Sequence, residues 1–348
     1  MTDRQKPAGS AKMTRSGLRL AAQSCSLTCN KLGLEVSLGY EACLRRLRMS
    51  VTFRPARADE LQHAQELIVG SINDLSERHG FGAMASVRPA TFQLFCFHEA
   101  PGGFWIAEDG GEIVGTAFSW VCGDLWFLAE LFIAPRMQGS GIGRELLRRA
   151  LGHADQAGAK TRALITFTFN TVSQGLYMRH GMYPRLPVYM FSADRAALPN
   201  TGPEVRLKFR KADASASHIS TLAALDTSAL GVSREKHHEY LLADPTMNGF
   251  LLYEGDDCIG YAYVASTGHV GPLAVTKREA MAPALRAALR IAAEGASNQI
   301  SAFLPGNCEA AFAVAADNRM RITFPMVLVS DREFGDWRRY LPRNPGFM

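Results

Sequence analysis

No stretch of this chain approaches the ~18 consecutive apolar residues of a membrane-spanning helix, so no passage through a bilayer is expected. Cysteine is scarce and irregularly spaced. The seven are Cys25, Cys29, Cys43, Cys96, Cys122, Cys258 and Cys308, an odd number. Cys25 and Cys29 have no matching His or Cys pair at zinc spacing, so neither a disulfide framework nor a metal site is expected. Free thiols fit a reducing, cytoplasmic compartment. Charge of one sign is lacking too, apart from one end. The formal net charge is +5, but residues 1–49 hold nine Lys/Arg against three Asp/Glu, which leaves the remainder near neutral. That body lacks the basic footprint of a nucleic-acid-binding protein.

What is present is enough apolar sequence for real cores. The chain has 348 residues, 47% of them hydrophobic, which suits about two domains. Residues 1–49 are basic, Ser-rich and poor in acids, like a transit peptide, but without the apolar core of a secretory signal. Met49 opens "MSVTFRPARADE", a natural-looking start, so this leader is expected to be disordered or not native to the folded protein.

The rest reads as one layout written twice. "VTFRPARADE" (Val51–Glu60) and "VRLKFRKADA" (Val205–Ala214) each open a strand that leads into a helix. "FWIAEDGGEIVGTAFSW" (Phe104–Trp120) is a strand, a tight turn and a second strand, and "FLLYEGDDCIGYAYVAS" (Phe250–Ser266) repeats it. Gly115 answers Gly260. "GMYPRLPVYMFSAD" (Gly181–Asp194) is echoed by "NRMRITFPMVLVSD" (Asn318–Asp331). The expected architecture is α/β (α+β): two tandem domains, 50–198 and 203–348, each a mixed, mainly antiparallel sheet flanked by helices. "LPNTGPEV" (Leu198–Val205) is the linker.

The most informative stretch is "LFIAPRMQGSGIGRELLRRAL" (Leu131–Leu151). Its glycines, Gly139, Gly141 and Gly143, do not match the G-x-G-x-x-G dinucleotide pattern, and no Lys-Ser or Lys-Thr follows to make a nucleotide triphosphate loop. An apolar run ends at Pro135, and a helical period starts at Ile142. The glycines therefore join a strand end to a helix N-terminus, where unpaired N–H groups and the helix dipole favour a phosphate. Glycine lets several N–H groups turn to one ligand and lets it approach.

On these residues the sequence resembles the GNAT superfamily of N-acetyltransferases. Its Q/R-x-x-G-x-G/A signature is matched at Gln138, Gly141 and Gly143. The resemblance is good over 51–195 and loose over 203–335. It implies acetyl-CoA as co-substrate and no metal. By the same resemblance, the amides of Gly139, Ser140, Gly141, Ile142, Gly143 and Arg144 hold the pyrophosphate. The backbone of Leu131, Phe132 and Ile133, on a strand that splays from its neighbour, pairs with the pantetheine arm. Asn170 touches that arm, with Ser173 on the same helix face as Tyr177, and Tyr177 protonates the departing thiolate.

Acetylating an amine also requires removal of a proton. Glu130, a lone carboxylate in an apolar strand, is the candidate base. The segment Leu67–Phe104, with Asn73, Glu77, Arg78, His79, Phe92, Phe95, Phe97 and His98, is expected to line the acceptor pocket or to be core. The second copy has no glycine after Val275, and it keeps Asn307 without a following Tyr, so it reads as a degenerate scaffold. The function expected is acetyl transfer to a small-molecule amine, with no nucleic-acid or membrane partner and the oligomeric state open. The alternatives are a protein or peptide N-acetyltransferase and a non-catalytic acetyl-CoA sensor.

Overall fold

The computed structural model describes residues 51–198 and 207–348; the leader and nearly all of the linker lie outside the described residues. In the first half the order is β1 (Thr52–Pro55), α1 (Leu61–Arg78), α2 (Thr91–Glu99), β2 (Phe104–Asp109), β3 (Glu112–Cys122) and β4 (Leu125–Ile133). It continues with α3 (Ile142–Gln156), β5 (Thr161–Phe167), α4 (Thr171–Met178) and β6 (Tyr183–Asp194). The second half repeats this with β7 (Lys208–Lys211), α5 (Ala216–Leu230), α6 (Glu235–Ala243), β8 (Met247–Glu254), β9 (Asp257–Ala265) and β10 (His269–Val275). Then come α7 (Met281–Glu294), β11 (Gln299–Pro305), α8 (Glu309–Asp317), β12 (Arg321–Ser330) and a short extra strand, β13 (Tyr340–Leu341).

The duplication extends to irregularities. In the first hairpin the register slips between Ala107 and Glu108, where Ala107 faces Gly115. In the second it slips between Leu252 and Tyr253, where Leu252 faces Gly260. Both glycines sit under close contacts. A side chain at Gly115 would meet Leu146, Ile133 and Ile142, and one at Gly260 would meet the Ala274 carbonyl. A bulge kept at the same place, with a glycine at each, is a designed feature of the strand rather than a defect.

Both halves contain the expected mixed sheet flanked by helices, but the strands join into one. Their order is β1-β2-β3-β4-β5-β12-β6-β11-β10-β9-β8-β7, with β13 off this path on β10. The closing strands are exchanged. β5 of the first half pairs with β12 of the second, from Ala163↔Ser330 to Phe167↔Met326. β11 of the second half pairs with β6 of the first, from Pro305↔Val188 to Gln299↔Asp194. Each half covers the open edge of the other, and residues Thr52–Met348 form a single unit. The sequence halves are therefore not two separate sheets. Periodicity within a strand carries no record of which neighbour it pairs with.

The helices bury the faces their spacing predicts. On α3, Ile142, Leu146, Leu147, Ala150, Leu151 and Ala154 are all buried. Aromatic packing binds the halves, with Phe92 against Phe118, His237, Tyr240 and Phe347. Phe95 packs on Tyr240, and Phe97 on Phe104. Phe92, Phe95 and Phe97 are half-buried and pack against the core, in keeping with the second of the two readings given for them. In the second half a buried ion pair, Arg234–Asp226 (2.9 Å), is satisfied by His238 and Tyr261, so the charges are not orphaned.

Candidate active site

β4 and β5 run parallel, but only Leu125–Leu128 pair with Thr161–Leu164. Beyond Leu128 the two strands part, while β4 stays paired to β3 as far as Ile133↔Gly115. A register shift at Phe118/Ser119 leaves Ala129 as the extra residue at the point of parting. Ala134 donates to Val114 across the β3–β4 ladder. By antiparallel alternation Phe132 also faces β3, and Leu131 and Ile133 direct their backbone groups into the gap. Accordingly the Ile133 carbonyl is met by side chains, Ser71 Oγ at 3.2 Å and Gln138 Nε2 at 3.3 Å. Burial follows this split: Leu125–Leu128 are buried, and Ala129–Ile133 are half-buried. Of the three residues expected to pair with the pantetheine arm, this alternation turns the backbone of Leu131 and Ile133 away from β3 and that of Phe132 toward it.

The glycine loop follows a 3-10 turn at Pro135–Met137. Gly139 and Gly141 have φ of 81° and 91°, a left-handed backbone that favours glycine, and the space beside each is open. Gly141 is the N-cap of α3, and no side chain caps the helix. The first amides of α3 are thus left for an outside acceptor. Ser140 Oγ donates to the Met137 carbonyl (2.6 Å) and braces the turn. Gly143 plays a different part: a side chain there would lie 3.6 Å from Ile133 and 3.9 Å from Leu176. It sits where α3, the end of β4 and α4 come together, at ordinary contact distance from both side chains. Gln138 and Arg144 are exposed. Arg78 from the end of α1 donates to Gln138 (3.4 Å).

Asn170 caps α4, its side-chain oxygen accepting from the Ser173 amide at 3.2 Å. This role is structural and was not foreseen. One turn on, Tyr177 is buried, and burial pushes its phenol well above its ordinary pKa, with the Ser173 side chain opposing that rise. Leu176 beside Gly143 places α4 against the glycine loop, so the phenol belongs to the same corner of the fold as the open gap.

Glu130 lies on β4 opposite Phe118. Gln93 Nε2 of α2 donates to its Oε1 (2.7 Å), and the same amide reaches Gln65 of α1 (3.0 Å). Burial raises the Glu130 carboxyl to about 7, and the Gln93 hydrogen bond partly opposes the rise. Among the described residues no cation pairs with it, and the carboxylate is only partly solvated. A base with that affinity is suited to take a proton near neutral pH. Gln93 was not singled out from sequence, since an amide on a mainly aromatic helix carries no periodic signal.

Of the other acceptor candidates, Asn73 holds the following loop, accepting from the amides of Met84 (2.9 Å) and Ala85 (2.8 Å). Glu77 and His98 are exposed. His79 packs on Phe169 at 4.9 Å, and Phe81 stacks on Phe169 at 4.8 Å. Arg78 meets Gln138 past the end of β4, and His79 and Phe81 meet Phe169 past the end of β5. Residues 78–81 thus bridge the mouth of the gap.

Comparison with known proteins fits this geometry. Residues 72–182 match the acetyltransferase (GNAT) family. The uncharacterized N-acetyltransferase YhfO of Bacillus subtilis (strain 168) is 34% identical over 82 residues, which cover 22% of this chain and 55% of that protein. The chain thus spans about half the length of that curated relative. Among solved structures, a chain from Pyrococcus horikoshii assigned as an acetyltransferase superposes with a TM-score of 0.67 at 14% identity, covering 86% of this chain and 96% of that one. A GCN5-related N-acetyltransferase from Sphaerobacter thermophilus gives 0.58 at 15% identity, over 83% and 98%. A tandem GNAT protein of the clavulanic acid biosynthesis pathway gives 0.52 at 13% identity, over 81% and 98%. At such identities the structures speak for the fold. The family match spans the parted strands, the glycine loop, Glu130 and Tyr177, and the first half of the chain therefore carries an acetyltransferase domain of the GNAT family.

Proposed function

We propose that this protein is an acetyl-CoA-dependent N-acetyltransferase of the cytoplasm that acylates a primary amine of a small molecule. One observation carries the reading: an open gap between parallel strands runs from an uncapped, glycine-lined helix N-terminus to a carboxylate poised near 7. The amides of Gly139–Arg144 would hold the pyrophosphate, and the backbone of Leu131 and Ile133 would pair with the pantetheine arm. When bound, acetyl-CoA supplies the activated acetyl thioester.

Glu130 takes the proton of the ammonium form, leaving a neutral amine whose lone pair forms the new C–N bond as the C–S bond breaks. A free amine of pKa ~10.4 is almost wholly protonated at neutral pH, so this step is needed. Tyr177 gives its phenolic proton to the departing sulfur, and the second proton that the nitrogen sheds on becoming an amide restores the phenol. An ordinary phenol is protonated at neutral pH, and burial favours that form further.

The bridge of residues 78–81 across the mouth favours a compact acceptor over a peptide lying in an open groove. Thiol release from acetyl-CoA, measured against amino acids, polyamines, aminoglycosides and peptides, tests the proposal. Turnover with small amines is expected. Turnover with peptides alone would move the reading to a protein acetyltransferase, and binding without turnover would make the protein a sensor.

A further inference from the structure

The second half also has parted strands. β10 and β11 are parallel and pair only at His269↔Ser301 and Val270↔Ala302, so a second gap opens beyond Val270. This gap is filled by the chain itself. β13 lies antiparallel along β10, with Leu273 opposite Leu341 and Ala274 opposite Tyr340, and Val275 N–H donates to the Arg339 carbonyl at 2.9 Å. Tyr340 and Leu341 are fully buried, and so are Leu273 and Ala274. The corresponding stretch of β4 in the first half is half-buried. Among the described residues no strand lies along the first gap, and its counterpart holds two residues of its own chain.

The segment then leaves the second half for the first. His269 Nε2 lies 2.6 Å from the Arg343 carbonyl. Asn344 folds the next turn by accepting from the amides of Gly346 and Phe347, both at 2.9 Å. Trp120 Nε1 of β3 donates to the Gly346 carbonyl at 2.9 Å. A side chain on Gly346 would stand 3.3 Å from the carbonyl of Ala129, the bulge residue directly before Glu130. Phe347 packs on Phe92 at 4.6 Å, next to the Gln93 that holds Glu130. Asn344, Pro345 and Gly346 are half-buried, as is Glu130, one residue beyond the Ala129 that Gly346 approaches.

We propose that residues 339–347 form a specificity-determining strap, whose first part occupies the second gap and whose last part walls the acceptor side of the first half beside Glu130. The strap rests on the reading of Glu130 as the base at an acceptor site. It makes the second half the anchor of a wall for the first, and it leaves one acyl-CoA site per chain.

Gly346→Ala is the least invasive test, since an added methyl presses on Ala129 and shifts the wall by a few tenths of an ångström. Trp120→Phe is the companion, because it removes the donor that holds Gly346 and keeps an aromatic ring. Both variants should change KM for the amine about fivefold or more, and alter the ranking of bulky against slender amines. Kd for acetyl-CoA should stay within about twofold, and calorimetric titration of the wild type should give one site. An unchanged amine ranking in both folded variants, or two acetyl-CoA sites per chain, would overturn the strap. A wild type that acetylates no amine overturns the functional reading instead, and the stoichiometry still decides who occupies the second gap.

Discussion

Replacing Glu130 by Gln should make the protein a worse catalyst and a more stable fold, and both effects follow from one carboxylate. Gln is nearly isosteric, and its side-chain oxygen can still accept from Gln93, so packing is kept. In the wild type, burial lifts the carboxyl from 4.5 to about 7. An unfolded chain ionises this group near 4.5, and the folded protein resists until about 7. The sign follows: below 4.5 the group costs nothing, across 4.5–7 the folded state loses stability, and above 7 the whole loss is present. At 1.36 kcal/mol per unit the shift amounts to ~3 kcal/mol, and solvent reaching the half-buried carboxylate trims it to about 2 kcal/mol. Urea melts should therefore find the two proteins alike near pH 4 and the variant more stable by about 2 kcal/mol at pH 8. In kinetics, wild-type kcat/KM should rise with pH up to about 7 and then level off. The variant should lose that ionisation and about 10²–10⁴ in rate. A Gln variant with wild-type turnover and the same pH midpoint would refute Glu130 as the base. Equal stability at both pH values would refute the claim that it is held against its solvation.

Gln93→Leu removes the donor that steadies the ionised carboxylate, so the midpoint of the kcat/KM profile should move above 7 while Kd for acetyl-CoA holds. Gly141→Asp should abolish acetyl-CoA binding by calorimetry, because the carboxylate would face the pyrophosphate and a φ of 91° strains any residue with a side chain. Tyr177→Phe keeps the buried ring and should lower kcat by roughly 10²-fold with little change in melting; a variant within twofold of wild type would leave acid catalysis to water. Asn73→Ala frees the loop held through Met84 and Ala85, and should raise KM for the amine more than it lowers kcat.

The local parts of this fold were legible in the sequence, and the long-range pairings were not. The period from Ile142 to Ala154 set the buried face of α3, and Gly139 and Gly141 announced a backbone that only glycine adopts readily. Glu130 stood out because a lone carboxylate in an apolar strand needs a reason. Three features stayed hidden. Gln93, the partner of Glu130, lies 37 residues away and has nothing in its neighbourhood to mark it. Phe92 and Phe95 pack on partners from α6 and the end of the chain, which no local pattern announces. The exchange of β6 and β12 has no local signature at all, because either strand could satisfy either edge by its own alternation.

That exchange changes what counts as the acetyltransferase domain. The strand flanking β5 is encoded at Arg321–Ser330, well past the end of the family match at residue 182. A premature stop between the two would spare every residue of the glycine loop and both proposed catalytic groups, yet strip a strand from the sheet that carries them. Loss-of-function alleles should therefore cluster in two places far apart on the gene and adjacent in space. Excising the first half as a minimal enzyme would yield a protein with one edge bare and one strand, β6, reaching for a partner that is no longer there.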